Sequence, residues 1–318
     1  MCKGISLFYQ ISDCSQVDIY GTLCYILAII KGHKLAMIDT KTQLCAVIGN
    51  PIEHSLSPAI HNAAFNYLGL NYIYVAFKVK DVSSAMAGVR SLGIRGLSVT
   101  IPHKVEVIKY LDEIDEVADR IGSVNTIINK NNRLKGYTTD GIAAVRSLKE
   151  KGIGINGKKI LILGSGGVAR AIAFTLVMKE RPASLVIGGV IQKETDKLVQ
   201  DITSLCSKHT VGFVVNEKSL EEQLQDIDIL IQCTPVGMYP KINDTPVPKK
   251  LLRNSLVVFD VIYTPLKTRL LREAEEKGCV VVSGIDMFIY QAALQFELWT
   301  GKTAPIKVMR ETLLRKLV

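Results

Sequence analysis

The sequence predicts an α/β protein in two domains, each built on a mainly parallel sheet. Three observations carry this reading. Short apolar runs of strand character alternate with helix-like segments from about residue 43 onward. The alternation restarts after Gly157, and near its head Gly164-Ser165-Gly166-Gly167-Val168-Ala169-Arg170 follows a strand and opens a helix, the context a dinucleotide loop requires. A length of 318 residues accommodates about two such cores.

Taken in order, Leu44-Cys45-Ala46-Val47-Ile48 is an apolar run ended by Gly49-Asn50-Pro51, a buried strand followed by a loop. Ser57-Pro58 reads as an N-cap with proline at the first helical position, and Gly69 ends that helix. Residues 72–77 form a second strand, 82–92 a helix, and 96–100 a third strand running into the Pro102 turn. A helix at 115–121 and a strand at 126–128 follow. In the second half, strands are expected at 159–163, 185–187, 211–215, 227–232, 257–261 and 280–282. Helices are expected at 166–179, 195–205 and 265–277, and two more, 287–299 and 305–317, close the chain.

Composition narrows the function. With 48% hydrophobic and 22% charged residues the chain is an ordinary globular one, far from disorder. Seven dispersed cysteines, odd in number and without a C-x-x-C, argue against a disulfide framework or zinc site and for a reducing cytoplasm. The net charge of +9 is spread along the chain with no basic block interleaved with aromatics, which argues against nucleic acid and suits an anionic cofactor and a carboxylate substrate. Residues 19–30 are almost uncharged but too short to span a bilayer. Residues 1–36 read as an extension of unknown role ahead of Met37, without signal-peptide character.

Four motifs carry chemistry. In the glycine cluster, Gly164 permits the tight turn, Gly166 lets the backbone approach a pyrophosphate, and Ala169 lets the helix pack close to the sheet. The next strand end, Ile187-Gly188-Gly189-Val190-Ile191-Gln192-Lys193, carries neither the acid that suits NAD nor the arginine that suits NADP. Lys193 and Arg170 remain as partners for a 2′-phosphate, and Glu194 as one for a ribose hydroxyl. Ser55-Leu56-Ser57-Pro58 offers two hydroxyls at a helix start, either a plain cap or an anion site. Lys104, in Val99-Thr100-Ile101-Pro102-His103-Lys104, is either a surface lysine or half of a proton-handling pair with Asp140 of Thr138-Thr139-Asp140-Gly141. Asp140 in turn is either that partner or a helix N-cap. Asn125, in Val124-Asn125-Thr126, adds a third polar group near a strand end, where open α/β sheets bind ligands. No metal-ligand spacing is present.

Together these strings resemble the shikimate dehydrogenase family from Leu44 to the C-terminus. The resemblance continues through Cys233-Thr234-Pro235-Val236-Gly237-Met238, Asp260-Val261-Ile262-Tyr263-Thr264-Pro265, and Gly284-Ile285-Asp286-Met287 with Gln291-Ala292-Ala293. It implies a substrate domain over residues 37–140, a Rossmann-like cofactor domain over 141–284, and helices at 285–318 returning to the first domain. By this similarity Lys104 and Asp140 are the catalytic pair, and Ser55, Ser57, Thr100, Asn125, Tyr263 and Gln291 hold the substrate. The cofactor falls to Gly164, Ser165, Gly166, Gly167, Val168, Ala169 and Arg170, with Thr234, Met238 and Gly284. The implied reaction is NADPH-dependent, reversible reduction of 3-dehydroshikimate to shikimate in chorismate and aromatic amino-acid biosynthesis, by a cytoplasmic monomer or homodimer.

The chain departs from the family pattern at three places. Gly189-Val190-Ile191 stands where many members have Asn-Arg-Thr, so the usual 2′-phosphate clamp is absent and NAD becomes an alternative to NADP. Ser98 stands where many have Asn, and Thr138 begins the Asp140 turn where many again have Asn. The alternatives are an NAD-dependent quinate/shikimate dehydrogenase and a non-catalytic sensor of pathway metabolites. Retention of both Lys104 and Asp140 argues against the sensor.

Overall fold

A computed structural model describes residues 38–205 and 210–317; the extension, the 19–30 run and Met37 lie outside them. The first half opens with β1 (Gln43–Gly49), α1 (Ser57–Tyr67), β2 (Tyr72–Lys78), α2 (Val82–Ser91) and β3 (Gly96–Val99). A two-residue β4 (Glu113–Ile114), α3 (Glu116–Ile121), β5 (Thr126–Lys130) and β6 (Arg133–Tyr137) follow. These strands form one sheet in the order β2-β1-β3-β5-β6-β4. β1 pairs parallel with β2 and β3, whereas β5 runs antiparallel to both β3 and β6.

This sheet is mixed, where the strand-helix alternation predicts mainly parallel pairing. The difference lies in the β5–β6 hairpin, whose second strand, Arg-Leu-Lys-Gly-Tyr, has no apolar run to announce it. Its two turn residues, Asn131 and Asn132, both take positive φ (54° and 62°), the requirement of a tight hairpin turn that asparagine tolerates.

Helix α4 (Asp140–Glu150) leads out of the first sheet into the second. There β7 (Lys159–Leu163), α5 (Gly167–Lys179), β8 (Ser184–Gly189), α6 (Gln192–Leu205) and β9 (Thr210–Val214) form the first winding. A second winding comprises α7 (Glu217–Leu224), β10 (Ile229–Gln232), β11 (Val257–Asp260), α8 (Arg269–Glu276) and β12 (Val280–Ser283). The sheet is parallel throughout, in the order β12-β11-β10-β7-β8-β9. The winding reverses between β7 and β10, so the crevice beyond their carboxyl ends is where such a sheet takes a ligand.

α6 and α9 begin three residues earlier than the sequence suggests, and two other helices differ more. α8 begins at Arg269 rather than Pro265, because the Thr268 hydroxyl caps it by accepting the Leu271 N–H. α7 has only a short apolar stripe, Leu220 and Leu224, and stands on a capping box in which Asn216 and Ser219 exchange hydrogen bonds.

The chain closes with α9 (Gly284–Thr300) and α10 (Ile306–Leu317). α9 leaves β12 of the second sheet and buries Phe296 and Trp299 in one core with Phe65, Tyr74 and Cys45 of the first. Trp299 is fully buried, and its Nε1 donates to the Ile127 carbonyl at 3.1 Å. Gly96 makes this possible: a β-carbon there would lie 2.4 Å from the indole. Among the described residues no helix is long and apolar enough to cross a membrane.

Candidate active site

The loop after β3 is pinned before it reaches Lys104. Thr100 N–H donates to Ile48 at 3.0 Å, and His103, buried, bonds the Val79 carbonyl through Nε2 at 2.9 Å. The Lys104 carbonyl accepts from Val124 N–H at 2.9 Å, tying the loop to the strand that begins beside Asn125. Lys104 Nζ then lies 2.6 Å from Asp140 Oδ2, and the two side chains are only 17% and 11% exposed. Little water screens the pair.

Asp140 is not the N-cap of α4. Thr139 holds that position, and Asp140 is the first helical residue, where the positive end of the helix dipole favours its carboxylate. Its second oxygen accepts from Asn125 Nδ2 at 2.8 Å. Asn125 is fixed in turn, its Oδ1 accepting from Thr139 N–H at 2.9 Å and from the Thr126 hydroxyl at 2.7 Å.

Lys104, Asp140 and Asn125 line a cavity of about 320 Å³ together with Ser55, Ser57, Thr100, Tyr263 and Gln291. The structure thus brings the whole expected catalytic and substrate set to one place. Ser57 requires a correction: it is the first residue of α1, not its cap, and its N–H points at Ser55 Oγ at 3.4 Å. Leu56 occupies the cap position without a side-chain bond, which leaves the Ser57 side chain free of capping duty. Tyr263 stacks on Phe288 with ring centres 4.5 Å apart, and burial raises its phenol pKa. The loop bearing Tyr263 is anchored by Asp260, buried at the end of β11, which accepts from Ile262 N–H at 3.0 Å and Thr268 Oγ1 at 2.7 Å. Burial pushes the Asp260 carboxyl up to about 6.

The cavity also holds polar residues that the sequence does not mark as ligands. Ser98 and Gln295 form a polar floor: Tyr74 donates to Ser98 at 2.7 Å, Ser98 to Gln295 Oε1 at 2.9 Å, and Gln295 Nε2 to Thr126 Oγ1 at 3.0 Å. Gln295 lies four residues after Gln291 on the same helical face, a spacing that would have flagged it.

The glycine loop opens on the same cavity through Val168, and Gly284 lines it from the start of α9. Gly164 has φ 118°, and a β-carbon there would press on the Cys233 backbone, so only glycine fits where the β7 and β10 loops meet. Ser165, Gly166 and Gly167 lead into α5, whose first turn has no side-chain cap; Gly166 and Gly167 are exposed, with nothing near where a β-carbon would sit. Uncapped N–H groups with open space before them fit a pyrophosphate. Ala169 is buried against the sheet, as close packing demands. Thr234 belongs to the facing loop, folded around the buried Gln232, whose Nε2 donates to Thr234 Oγ1 at 2.8 Å. Met238 lies further along that loop and is exposed.

Arg170 departs from expectation. Its guanidinium bonds the Ile121 carbonyl and Asp201 Oδ2, the latter at 2.6 Å, and lies over the Phe174 ring. It ties α3, α5 and α6 together, and its charge is met by Asp201. Among the described residues no cluster of acidic, histidine and cysteine side chains is arranged to hold a metal.

Comparison with known proteins identifies the family. Residues 47–127 match the shikimate dehydrogenase substrate binding domain, and residues 284–314 the shikimate 5′-dehydrogenase C-terminal domain. A protein of Moorella thermoacetica named shikimate dehydrogenase (NADP(+)) is 42% identical over 281 residues, covering 88% of this chain and 95% of its own. A crystal structure of a shikimate dehydrogenase in complex with NADP+ superposes with a TM-score of 0.83 at 41% identity, covering 89% of this chain and 98% of the other. The Listeria monocytogenes shikimate 5-dehydrogenase, in complex with shikimate and NAD, gives 0.82 at 38% identity over 87% and 98% of the two chains. With these matches spanning both sheets and the cleft between them, the chain belongs to the shikimate dehydrogenase family.

Proposed function

We propose that the protein interconverts 3-dehydroshikimate and shikimate, with NADP as the cofactor of its named relatives and NAD admitted by its own adenosine-side loop. The observation that carries this is one cavity holding the Lys104–Asp140 pair, a set of hydroxyl and amide groups, and the mouth of a dinucleotide loop. Ser55 and Ser57, beside the start of α1, offer hydroxyls to the substrate carboxylate. Asn125, Thr100 and Gln291 are placed to meet ring hydroxyls.

When bound, the nicotinamide supplies or takes up the hydride. As the substrate carbonyl is reduced its oxygen gains negative charge, which a cationic Lys104 stabilises before passing it a proton. Asp140, held by Asn125 and by the helix start, keeps the ammonium in place and accepts from a substrate hydroxyl. Oxidation of shikimate runs the same transfers backwards. In this reading the enzyme serves aromatic amino-acid biosynthesis in the cytoplasm, as a monomer or homodimer acting on small molecules.

A second reading, an NAD-dependent quinate/shikimate dehydrogenase, is favoured by the commitment of Arg170 to Asp201 and by Val190 at the clamp position. One assay matrix separates the two: shikimate and quinate, each with NADP+ and NAD+. Absence of shikimate oxidation with either cofactor overturns the proposal.

A further inference from the structure

The adenosine side of the cofactor loop is where the expected arginine is missing, and the structure places another charge there. β8 ends at Gly189, which carries no side chain, and a β-carbon there would lie 2.1 Å from Thr195 Oγ1, whose hydroxyl donates to the Ile191 carbonyl and would have to turn away. With Gly189-Val190-Ile191 at the strand end, a ribose-binding acid comes from further along the chain. Glu194, in the first turn of α6, turns back toward the loop, and its Oε2 accepts from Ser165 Oγ at 3.1 Å. Ser165 is the second residue of the glycine loop, and its hydroxyl lies 3.6 Å from where a Gly189 β-carbon would be. The hydrogen bond holds the Glu194 carboxylate beside the glycine loop, near the paired ends of β7 and β8, the quarter in which dinucleotide folds keep the acid that bonds ribose hydroxyls.

The surrounding charges do not reverse this. Asp196, on the same turn, is a second carboxylate and accepts from Gln192 Nε2 at 2.6 Å. Arg170 faces Asp201. Lys193, beside Glu194 in sequence, and Lys197, three residues on in α6, are the cations of this turn, and both are exposed. A carboxylate at this point accepts from a free 2′-hydroxyl and repels a 2′-phosphate.

We infer that Glu194, positioned by Ser165, sets the cofactor choice of this protein and selects a dinucleotide with a free ribose 2′-hydroxyl over the 2′-phosphorylated form. The inference rests on the reading of the chain as a nicotinamide-dependent shikimate dehydrogenase, and it departs from the NADP named for its relatives.

Equilibrium binding of NAD+ and NADP+, measured by titration calorimetry on the whole protein without substrate, tests it. The wild type is expected to bind NAD+ at least about tenfold more tightly, the size of one charge-assisted hydrogen bond. Glu194→Gln should narrow that ratio about tenfold, mainly by tightening NADP+, and Glu194→Arg should invert it. Glu194 is exposed on a helix surface, so neither variant endangers the fold. Tighter wild-type binding of NADP+, a ratio unmoved by Glu194→Gln, or a loss of NADP+ affinity on Lys193→Ala matching an arginine clamp would each overturn the inference. In any of those cases, continued oxidation of shikimate leaves the functional reading standing. Binding of neither dinucleotide together with no oxidation of shikimate would overturn both.

Discussion

Lys104 and Asp140 meet at 2.6 Å from two different kinds of support, a loop pinned by backbone bonds and the first turn of a helix. The aspartate spends its other oxygen on Asn125 at 2.8 Å, so neither partner is free to turn away. A lysine held this way, largely out of water, keeps its direction into the cavity.

Lys104→Ala should lower kcat by at least about 100-fold, the usual effect of losing a positioned acid or base, with a much smaller change in KM. Steady-state oxidation of shikimate measures both. Near-normal turnover in the variant would remove Lys104 from the mechanism.

Asp140→Asn keeps the shape of the side chain and removes its charge. It leaves the Asn125 amide facing another amide and Lys104 without its counter-ion. The expected result is a kcat loss of about 100-fold or more with a folded protein of ordinary circular dichroism. Retained turnover would assign Asp140 to structure alone.

Gly96→Ala is expected to cost about 1–3 kcal/mol of stability, the range for overpacking a filled core. The added methyl would press on an indole that is itself tied to Ile127. The midpoint of urea unfolding measures the cost, and an unchanged midpoint would show that Trp299 can shift freely.

His61 lies fully buried, stacked 4.5 Å from the Tyr74 ring, and burial lowers its pKa to about 3. Gln295 is close enough to favour the charged ring slightly, but neither ring nitrogen has a hydrogen-bond partner of ordinary geometry. Between pH 3 and 6.5 the unfolded chain binds a proton here that the folded one refuses, so stability is lost as pH falls below 6.5. From pH 7 to pH 5 this amounts to about 2 kcal/mol. His61→Phe should flatten that part of the unfolding-free-energy profile, and parallel profiles would refute the assignment.

Asp260 contributes with the opposite sign. Its folded pKa, about 6, stands above the ordinary 3.8, so the folded chain holds the extra proton and stability falls as pH rises through that window. The loss is complete above pH 6 and is at most about 3 kcal/mol. Asp260→Asn, compared with the wild type from pH 4 to 7, should gain relative stability as pH rises. A constant difference would show that the carboxyl ionises without penalty.

The features legible in the sequence were those carried by neighbours along the chain. Lys104 was marked by the Pro102 turn, Asp140 by the helix start, and the cofactor loop by glycines between a strand and a helix. What escaped depends on partners far away. Arg170 looked available until Asp201, from the next helix, came into contact with it. Gln295 shares a helical face with Gln291, but its bonds back to Thr126 and Asn125, which fix it in the pocket floor, join residues far apart in the chain. The β5–β6 hairpin was hidden for another reason: its signal is the backbone tolerance of Asn131 and Asn132, not hydrophobic periodicity. The sequence offers Glu194 for a ribose hydroxyl beside Lys193 and Arg170 for a 2′-phosphate, and the Ser165 hydrogen bond is what places Glu194 at the loop.

The packing of Trp299 against Gly96 bears on how the protein is made. Synthesis delivers the first sheet long before α9, yet that sheet shares its aromatic core with α9 and α10. A nascent chain halted before Gly284 therefore shows solvent the faces of Phe65 and Tyr74 that α9 later covers, the kind of surface chaperones hold. The first-synthesised half is completed last. Since Trp299 is the single tryptophan of the chain, its emission reports the moment of that closure.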